Sequence, residues 1–180
     1  MVYVFLAQGF EEIEALATID FLRRCDLEVI TAGVGSQDVT GAHDITVLAD
    51  TVDSMLVKSD DVQAVILPGG MPGTLNLEKS KYVNDMLDFA YEKGLVIGAI
   101  CAAPSVLGKK GFLQDKNATC FPGFEEQLIG ANATGESVVV DGNIITAKGA
   151  GVTIDFSYEI AKKLVGESEP QRVKNSLQCK

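Results

Sequence analysis

Four short apolar runs alternate with helical patterns over the first hundred residues. The runs show little polar alternation, which is typical of strands buried on both faces of a parallel sheet, and they span residues 2 to 7, 27 to 32, 63 to 67 and 95 to 100. Residues 11 to 24 have helical periodicity, with acidic residues at the start and arginines at the end, and a second helix is predicted over residues 79 to 93. This alternation predicts an α/β fold with a doubly wound, mostly parallel sheet.

The remaining segments complete one domain. Residues 38 to 50 are predicted to form a short irregular ribbon, and Asp141-Gly142-Asn143 marks the turn of a hairpin between two apolar strands. A loop of small residues at 148 to 153 opens a helix that ends near Val165, and a last amphipathic segment follows from Pro170. Because no repeat or linker divides the chain, we expect residues 1 to 180 to fold as a single domain.

Residues 95 to 108 carry the first candidate chemistry. An apolar run ends on Cys101, helical spacing resumes directly afterwards, and the small residues Ala99 and Ala103 flank the cysteine. This pattern is typical of a nucleophile elbow, a sharp strand-to-helix turn that exposes one side chain. A thiol at a helix N-terminus has a lowered pKa, so we expect a thiolate at neutral pH. The alternative is that Cys101 is only a small buried core residue.

Two further strand ends are expected to meet Cys101 at the same edge of the sheet, because ligands bind beyond the carboxyl ends of parallel strands. One supplies Glu14, which we expect to be partly buried and protonated beside the sulfur, whereas Glu11 and Glu12 are expected to point to solvent. The other supplies Gly69 and Gly70. The backbone amides of Gly70 and Ala102 are candidates for a small oxyanion hole. The alternative is a surface carboxylate at a helix start and an ordinary glycine turn.

Charge and composition exclude several functional classes. The formal net charge is −10 and basic residues cluster only in pairs, so no nucleic-acid partner is expected. The chain passes from Met1 into a short apolar strand without a basic leader, so we expect a cytoplasmic protein with no membrane partner.

The four cysteines lack the spacing of a zinc site and should be free thiols. The only histidine, His43, is interpreted as a solvated loop residue, and no metal site is predicted.

Three linked motifs resemble the ThiJ/PfpI superfamily in its DJ-one branch, the branch of the parkinsonism-associated protein deglycase. The motifs are Gly9-Phe10-Glu11-Glu12-Ile13-Glu14, Leu67-Pro68-Gly69-Gly70 and Ala99-Ile100-Cys101-Ala102-Ala103-Pro104. The resemblance covers essentially the whole chain and implies a flavodoxin-like sandwich, similar to class I glutamine amidotransferases, that forms a homodimer. It also implies that Cys101 is the reactive nucleophile, that Glu14 is its protonated hydrogen-bond partner, and that the backbone amides of Gly69, Gly70 and Ala102 line the pocket.

The chain departs from this pattern at three positions. Protease-like members of the superfamily have a histidine directly after the cysteine, where this chain has Ala102, so a protease is not expected. Phe121 lines the predicted pocket where some relatives have a histidine, which weakens acid/base assistance from that side. His43 stands where several relatives have an arginine, which puts an anion site there in doubt.

Two functions are compatible with a reactive cysteine beside an acid. In the first, Cys101 adds to methylglyoxal or to its early glycation adducts, Glu14 moves protons, and the protein acts as a glyoxalase or deglycase without any cofactor. In the second, the protein is a redox sensor or stress chaperone in which Cys101 is oxidised to the sulfinic acid. The first implies a small aldehyde or glycated substrate, and the two functions are not exclusive.

Overall fold

Eleven strands and six α-helices make up the computed structural model, which describes residues 1–179. The strands are β1 (Val2–Leu6), β2 (Val29–Gly33), β3 (Asp38–Thr40), β4 (Thr46–Leu48), β5 (Thr51–Val52), β6 (Ala64–Leu67), β7 (Val96–Ile100), β8 (Asn117–Ala118), β9 (Asn132–Ala133), β10 (Val138–Asp141) and β11 (Ile144–Ala147). The helices are α1 (Glu12–Arg24), α2 (Gly73–Lys79), α3 (Lys81–Glu92), α4 (Pro104–Lys109), α5 (Thr153–Val165) and α6 (Ser168–Ser176).

Seven strands form the central sheet in the order β10-β11-β7-β6-β1-β2-β5. All neighbours pair in parallel except β10 and β11, which form the antiparallel hairpin predicted around Gly142. Strands β3 and β4 pair separately as the predicted ribbon, hereafter the β3–β4 hairpin. The predicted doubly wound, mostly parallel sheet is therefore confirmed.

Both faces of the sheet are covered by helices, which explains why its central strands are apolar throughout. In β1 the alternate residues Val2, Val4 and Leu6 pack into the layer that contains α1, α5 and α6. Their neighbours Tyr3 and Phe5 pack into the opposite layer, with α2, α3 and α4. None of the helices within residues 1–179 combines the length and apolarity needed to cross a bilayer.

Short elements account for most of the differences from the prediction. Helix α2 begins within the proline- and glycine-rich loop after β6 and was not predicted, because Pro68-Gly69-Gly70 conceals the helical pattern that follows. Strands β5, β8 and β9 have two residues each, too few to show periodicity. Helix α4 has only six residues and begins at Pro104, three positions after Cys101 rather than directly at it.

Candidate active site

Cys101 occupies the sharp turn that follows β7. Its φ angle is 64°, a left-handed conformation that is uncommon for a residue other than glycine and that marks local backbone strain. Two backbone hydrogen bonds hold it there, because the Cys101 amide donates to the Ala147 carbonyl at 2.9 Å and the Phe121 amide donates to the Cys101 carbonyl at 2.8 Å. Cys101 is partly exposed, so the predicted elbow is present and the alternative of a sealed core cysteine does not apply.

Glu14 lies in the first turn of α1 and points inward, with only 1% of the residue exposed. Its Oε2 accepts a hydrogen bond from the Gly69 amide at 2.8 Å. The carboxyl group is also within hydrogen-bonding reach of the Cys101 thiol and the Ala150 amide. The structure therefore brings Glu14 and Cys101 together, and Glu14 is not a surface carboxylate.

The glycines after β6 allow this close packing. A Cβ on Gly69 would lie 2.7 Å from both Cys101 Cβ and Glu14 Oε2, so only glycine leaves room for the pair. Gly70 has a φ of 93°, and its amide, like that of Ala102, points to Cys101 Sγ. The predicted amides therefore have two roles: the Gly69 amide donates to the Glu14 carboxylate, whereas the Gly70 and Ala102 amides lower the pKa of the Cys101 thiol.

The ionisation of the pair differs from the sequence-based expectation of a thiol with a lowered pKa. Burial raises the pKa of Glu14 to about 7, against the effect of its hydrogen bonds with Cys101 and Gly69. Burial, together with the negative charge of Glu14, raises the pKa of Cys101 to about 12, and the amides of Ala102 and Gly70 offset this only in part. The six residues of α4 begin too far along the chain to lower it. Above pH 7 the pair therefore carries one negative charge and shares one proton.

An open pocket of about 430 Å³ lies close to the pair, because its lining includes Phe121, whose amide donates to the Cys101 carbonyl, although neither Cys101 nor Glu14 lines it. It is lined by Phe121, Pro122, Lys148, Gly149, Ala150, Gly151 and Val152. Phe121, for which a pocket position is predicted, is 48% exposed and lies against Gly149 in this lining. Sequence reasoning missed Lys148 and Ala150, although the loop of small residues directly after the last predicted strand is the signal that places them at this edge.

The interpretation of Glu12 as solvent-facing is wrong. Glu12 is only 5% exposed, and its carboxylate accepts hydrogen bonds from the His43 amide at 2.6 Å and from His43 Nδ1 at 2.8 Å. Glu11 caps α1 by accepting the Glu14 amide at 2.7 Å. His43 is exposed, as expected, but it is tied to α1 rather than free.

Glu11, Glu12 and His43 also form the one group of potential metal ligands that we find within residues 1–179, with ligand atoms within 4.8 Å of one another. Because the hydrogen bonds of the cap and of His43 already engage these side chains, we assign the group a structural role.

Comparison with known proteins gives a consistent picture. The sequence model of the DJ-1/PfpI family matches residues 1–163. The chain is 38% identical over 177 residues to Protein dj-1beta of Drosophila melanogaster, covering 97% of this chain and 94% of that protein. It is 32% identical over 158 residues to the glutathione-independent glyoxalase DJR-1.2 of Caenorhabditis elegans, covering 87% of this chain and 83% of that one. The solved structure of oxidized Toxoplasma gondii DJ-1 superposes with a TM-score of 0.94 at 32% identity, covering 99% of this chain and 97% of that chain.

Proposed function

Because this chain belongs to the DJ-1/PfpI family, we propose that it is a cofactor-independent glyoxalase or deglycase that acts on methylglyoxal or on its early glycation adducts, with Cys101 as the nucleophile. The observation that carries the proposal is the buried Glu14 carboxyl beside the partly exposed Cys101 thiol. The similarity to a glutathione-independent glyoxalase over most of both chains supports the same class of activity. The activity, the reaction and the role of each residue are our proposal.

The first step of the proposed reaction uses the proton that Cys101 and Glu14 share. Cys101 Sγ attacks the aldehyde carbon of methylglyoxal while its proton passes to the Glu14 carboxylate. Glu14 then donates this proton to the former carbonyl oxygen, so a hemithioacetal forms and Glu14 is again a carboxylate. A thiol with a raised pKa becomes nucleophilic in this way because the base lies within hydrogen-bonding reach. The Gly70 and Ala102 amides, which point to the sulfur, are placed to donate to the oxygen that becomes negative beside it.

An internal rearrangement completes the reaction. Glu14 removes the hydrogen from the former aldehyde carbon as a proton and returns it to the adjacent carbon, while the hydroxyl proton passes from the first oxygen to the second. The first carbon is thereby oxidised to a thioester and the second is reduced to an alcohol. Water then cleaves the thioester, releasing lactate and the Cys101 thiol. Because oxidation and reduction occur within one molecule, no external electron acceptor is required.

Lactate formation from methylglyoxal tests this proposal. We expect Cys101→Ser to lose the activity, because an alcohol is a far weaker nucleophile than a thiol. Cys179→Ser is the matched control, since Cys179 is also partly exposed but follows α6, 78 residues further along the chain, and it should retain the wild-type rate. Equal rates for the wild type and Cys101→Ser would refute the mechanism.

Redox sensing is a second candidate function, favoured by the strained and partly exposed position of Cys101. Peroxide would oxidise the sulfur to a sulfinic acid, whose oxygens would accept hydrogen bonds from Gly70, Ala102 and protonated Glu14. We expect mild peroxide to add about 32 Da, two oxygens, at Cys101 while the buried Cys25 and Cys120 stay reduced. Peptide mass spectrometry that found the oxygens elsewhere would exclude the sensor.

We propose further that the protein pairs with a second copy through an apolar face beside the site. On α1, Ile13 is 58% exposed and Leu16 is 36% exposed, although their neighbour Glu14 is buried. The β3–β4 hairpin adds Ile45 and Leu48, which are 51% and 73% exposed. The hydrogen bonds between His43 and Glu12 hold this hairpin against α1, so the exposed apolar side chains lie on adjoining elements.

A further inference from the structure

Cys101 is held in its left-handed conformation by backbone contacts on both sides. Its amide donates to the Ala147 carbonyl at 2.9 Å, and its carbonyl accepts from the Phe121 amide at 2.8 Å. A strained φ of 64° persists only where the surrounding structure holds it. Ala147 lies in the regular strand β11, whereas Phe121 lies in a segment, residues 119–121, that belongs to no helix or strand. The second contact therefore depends on what fixes this segment in place.

Thr146, in β11, fixes residues 119–121 to the central sheet. Its Oγ1 accepts a hydrogen bond from the Thr119 amide at 3.0 Å, and both residues are only 1% exposed. On its other side, the Thr119 hydroxyl donates to the Glu136 carbonyl at 2.7 Å. The segment is therefore anchored between β11 and the loop before β10, and Phe121 follows Thr119 by only two positions.

The hydroxyl of Thr146 is explained by this contact rather than by packing. All four residues of β11 are buried, and the other three are apolar. Ile145 and Ala147 pack into the layer of α1 and α5, so the alternation of a strand places the Thr146 side chain on the opposite face. A buried hydroxyl is unfavourable unless it forms a hydrogen bond, and the bond from the Thr119 amide is the one it accepts.

Loss of this anchor would change the position of the Cys101 thiol. A buried Thr119 amide without an acceptor is unfavourable, so residues 119–121 would shift towards another partner. The shift would weaken the hydrogen bond from Phe121, and the Cys101 backbone would relax out of the left-handed region. Because the backbone sets the direction of the side chain, Sγ would then turn away from the Glu14 carboxyl.

We propose that Thr146 is a positioning residue for Cys101. Its hydroxyl anchors residues 119–121 to β11, and through the Phe121 amide this segment holds the turn that brings Cys101 Sγ to Glu14. The inference rests on the proposed function, in which Cys101 is the nucleophile, and it adds a residue that acts on the nucleophile without touching the substrate.

The test is the pH dependence of Cys101 alkylation by iodoacetamide, followed by peptide mass spectrometry. With the thiol beside Glu14, the wild-type rate should level off above about pH 7. Thr146→Val removes the acceptor at nearly constant volume, so its alkylation rate should continue to rise above that pH. We expect its kcat for lactate formation to fall by about 10- to 100-fold, the effect of a small displacement of reacting groups. Thr146→Ser keeps the hydroxyl and should retain both the plateau and the rate.

Thr31→Val is the matched control. Thr31 is a strand threonine that is 6% exposed, and its Oγ1 accepts from the Asp50 amide at 2.8 Å. It lies in β2, which β6 and β1 separate from β7 in the sheet. We expect Thr31→Val to lose stability in denaturant as Thr146→Val does, but to keep the wild-type alkylation profile. A wild-type profile in Thr146→Val, or loss of the plateau in both variants, would overturn the inference.

Amide hydrogen exchange in the wild type provides a readout even if Thr146→Val fails to fold. The amides of Thr119 and Phe121 belong to one anchored segment, so they should exchange slowly and with similar protection. A protected Thr119 amide beside a freely exchanging Phe121 amide would show that the anchor does not reach Cys101, and would overturn the inference. Neither alkylation nor exchange depends on the glyoxalase activity, which fails separately if Cys101→Ser forms lactate at the wild-type rate.

Discussion

The shared proton of Cys101 and Glu14 decides how reactivity depends on pH. The charge of Glu14 raises the pKa of Cys101, and the hydrogen bond with the Cys101 thiol lowers the pKa of Glu14, so the two titrate as a unit rather than as independent residues. The unit loses its first proton near pH 7, where the pKa of Glu14 lies, and its second near pH 12. Between these values its charge is constant, and so is the fraction of sulfur that is present as thiolate.

This pairing predicts a plateau in the alkylation of Cys101. The rate with iodoacetamide should rise up to about pH 7 and then level off in the wild type. In Glu14→Gln the thiol has no proton acceptor and remains desolvated, so its rate should continue to rise above pH 9, with no plateau beginning near pH 7. Mass-spectrometric rates for the Cys101 peptide provide the measurement, with the Cys179 peptide as an internal control. Superimposable profiles for the two proteins would show that the residues titrate independently.

Gly69 is predicted to be essential to the geometry of the pair, although it has no side chain. A methyl group there would meet Cys101 Cβ and Glu14 Oε2 at 2.7 Å, so Gly69→Ala should push the two side chains apart. We expect the free energy of unfolding to fall by about 1–3 kcal/mol, as for other overpacked sites, and the alkylation plateau to be lost. Gly151→Ala is the control for stability, because a Cβ at that position meets nothing within 4 Å. Denaturant unfolding that gave equal stability for the two variants would contradict the steric argument.

At the scale of elements, the β3–β4 hairpin is attached to α1 through His43 and Glu12. Burial alone would raise the pKa of Glu12, but its hydrogen bonds from His43 outweigh burial and lower it. The hydrogen bond to Glu12 raises the pKa of His43 in turn. Because the folded pKa of His43 is raised, its contribution to stability is complete below the unfolded value and is lost as the pH rises through the folded value.

The single histidine allows this attachment to be measured directly. An NMR titration should give His43 a pKa above the ordinary 6.5, and Glu12→Gln should return it towards that value. The Glu11→Gln variant is a suitable comparison, since Glu11 acts on His43 through its charge alone and should lower the His43 pKa by less. An unchanged His43 pKa in Glu12→Gln would mean that the hairpin is held by backbone contacts without the ion pair.

The limits of sequence-based prediction follow from the same elements. Apolar runs such as β1 and β7 are readable because burial on both faces removes all polar alternation, and parallel strands place their carboxyl ends at one edge. The proximity of Glu14, Gly69 and Cys101 could therefore be predicted from the sequence alone. The contact between Glu12 and His43 could not be predicted from the sequence, since His43 lies 31 residues away in an irregular hairpin. The raised pKa of Cys101 could not be predicted either, because burial of the thiol and the charge of Glu14, 87 residues earlier in the chain, depend on the folded structure.

At the scale of the whole molecule, the apolar face of α1 and the β3–β4 hairpin predicts the state of association. Specific dimers bury about 1,200–2,000 Å² of surface, and the exposed Ile13, Leu16, Ile45 and Leu48 offer an apolar centre for such an interface. We expect sedimentation to give a mass of twice 19.1 kDa for the wild type, and Ile13→Lys to shift the protein to the monomer, because a charge at the centre of a buried interface has no partner. Val165→Lys, which alters a residue that is 41% exposed at the end of α5, should remain a dimer. A monomeric wild type at micromolar concentration would refute the homodimer, and a dimer that persisted in Ile13→Lys would place the interface on another face.

The same interface predicts whether dimerisation supports catalysis, because Ile13 adjoins the buried Glu14. If the second copy helps to exclude water from Glu14 and Cys101, the monomeric variant will form lactate more slowly than the wild type. The rate per wild-type subunit will then also fall with the dimer fraction as the protein is diluted.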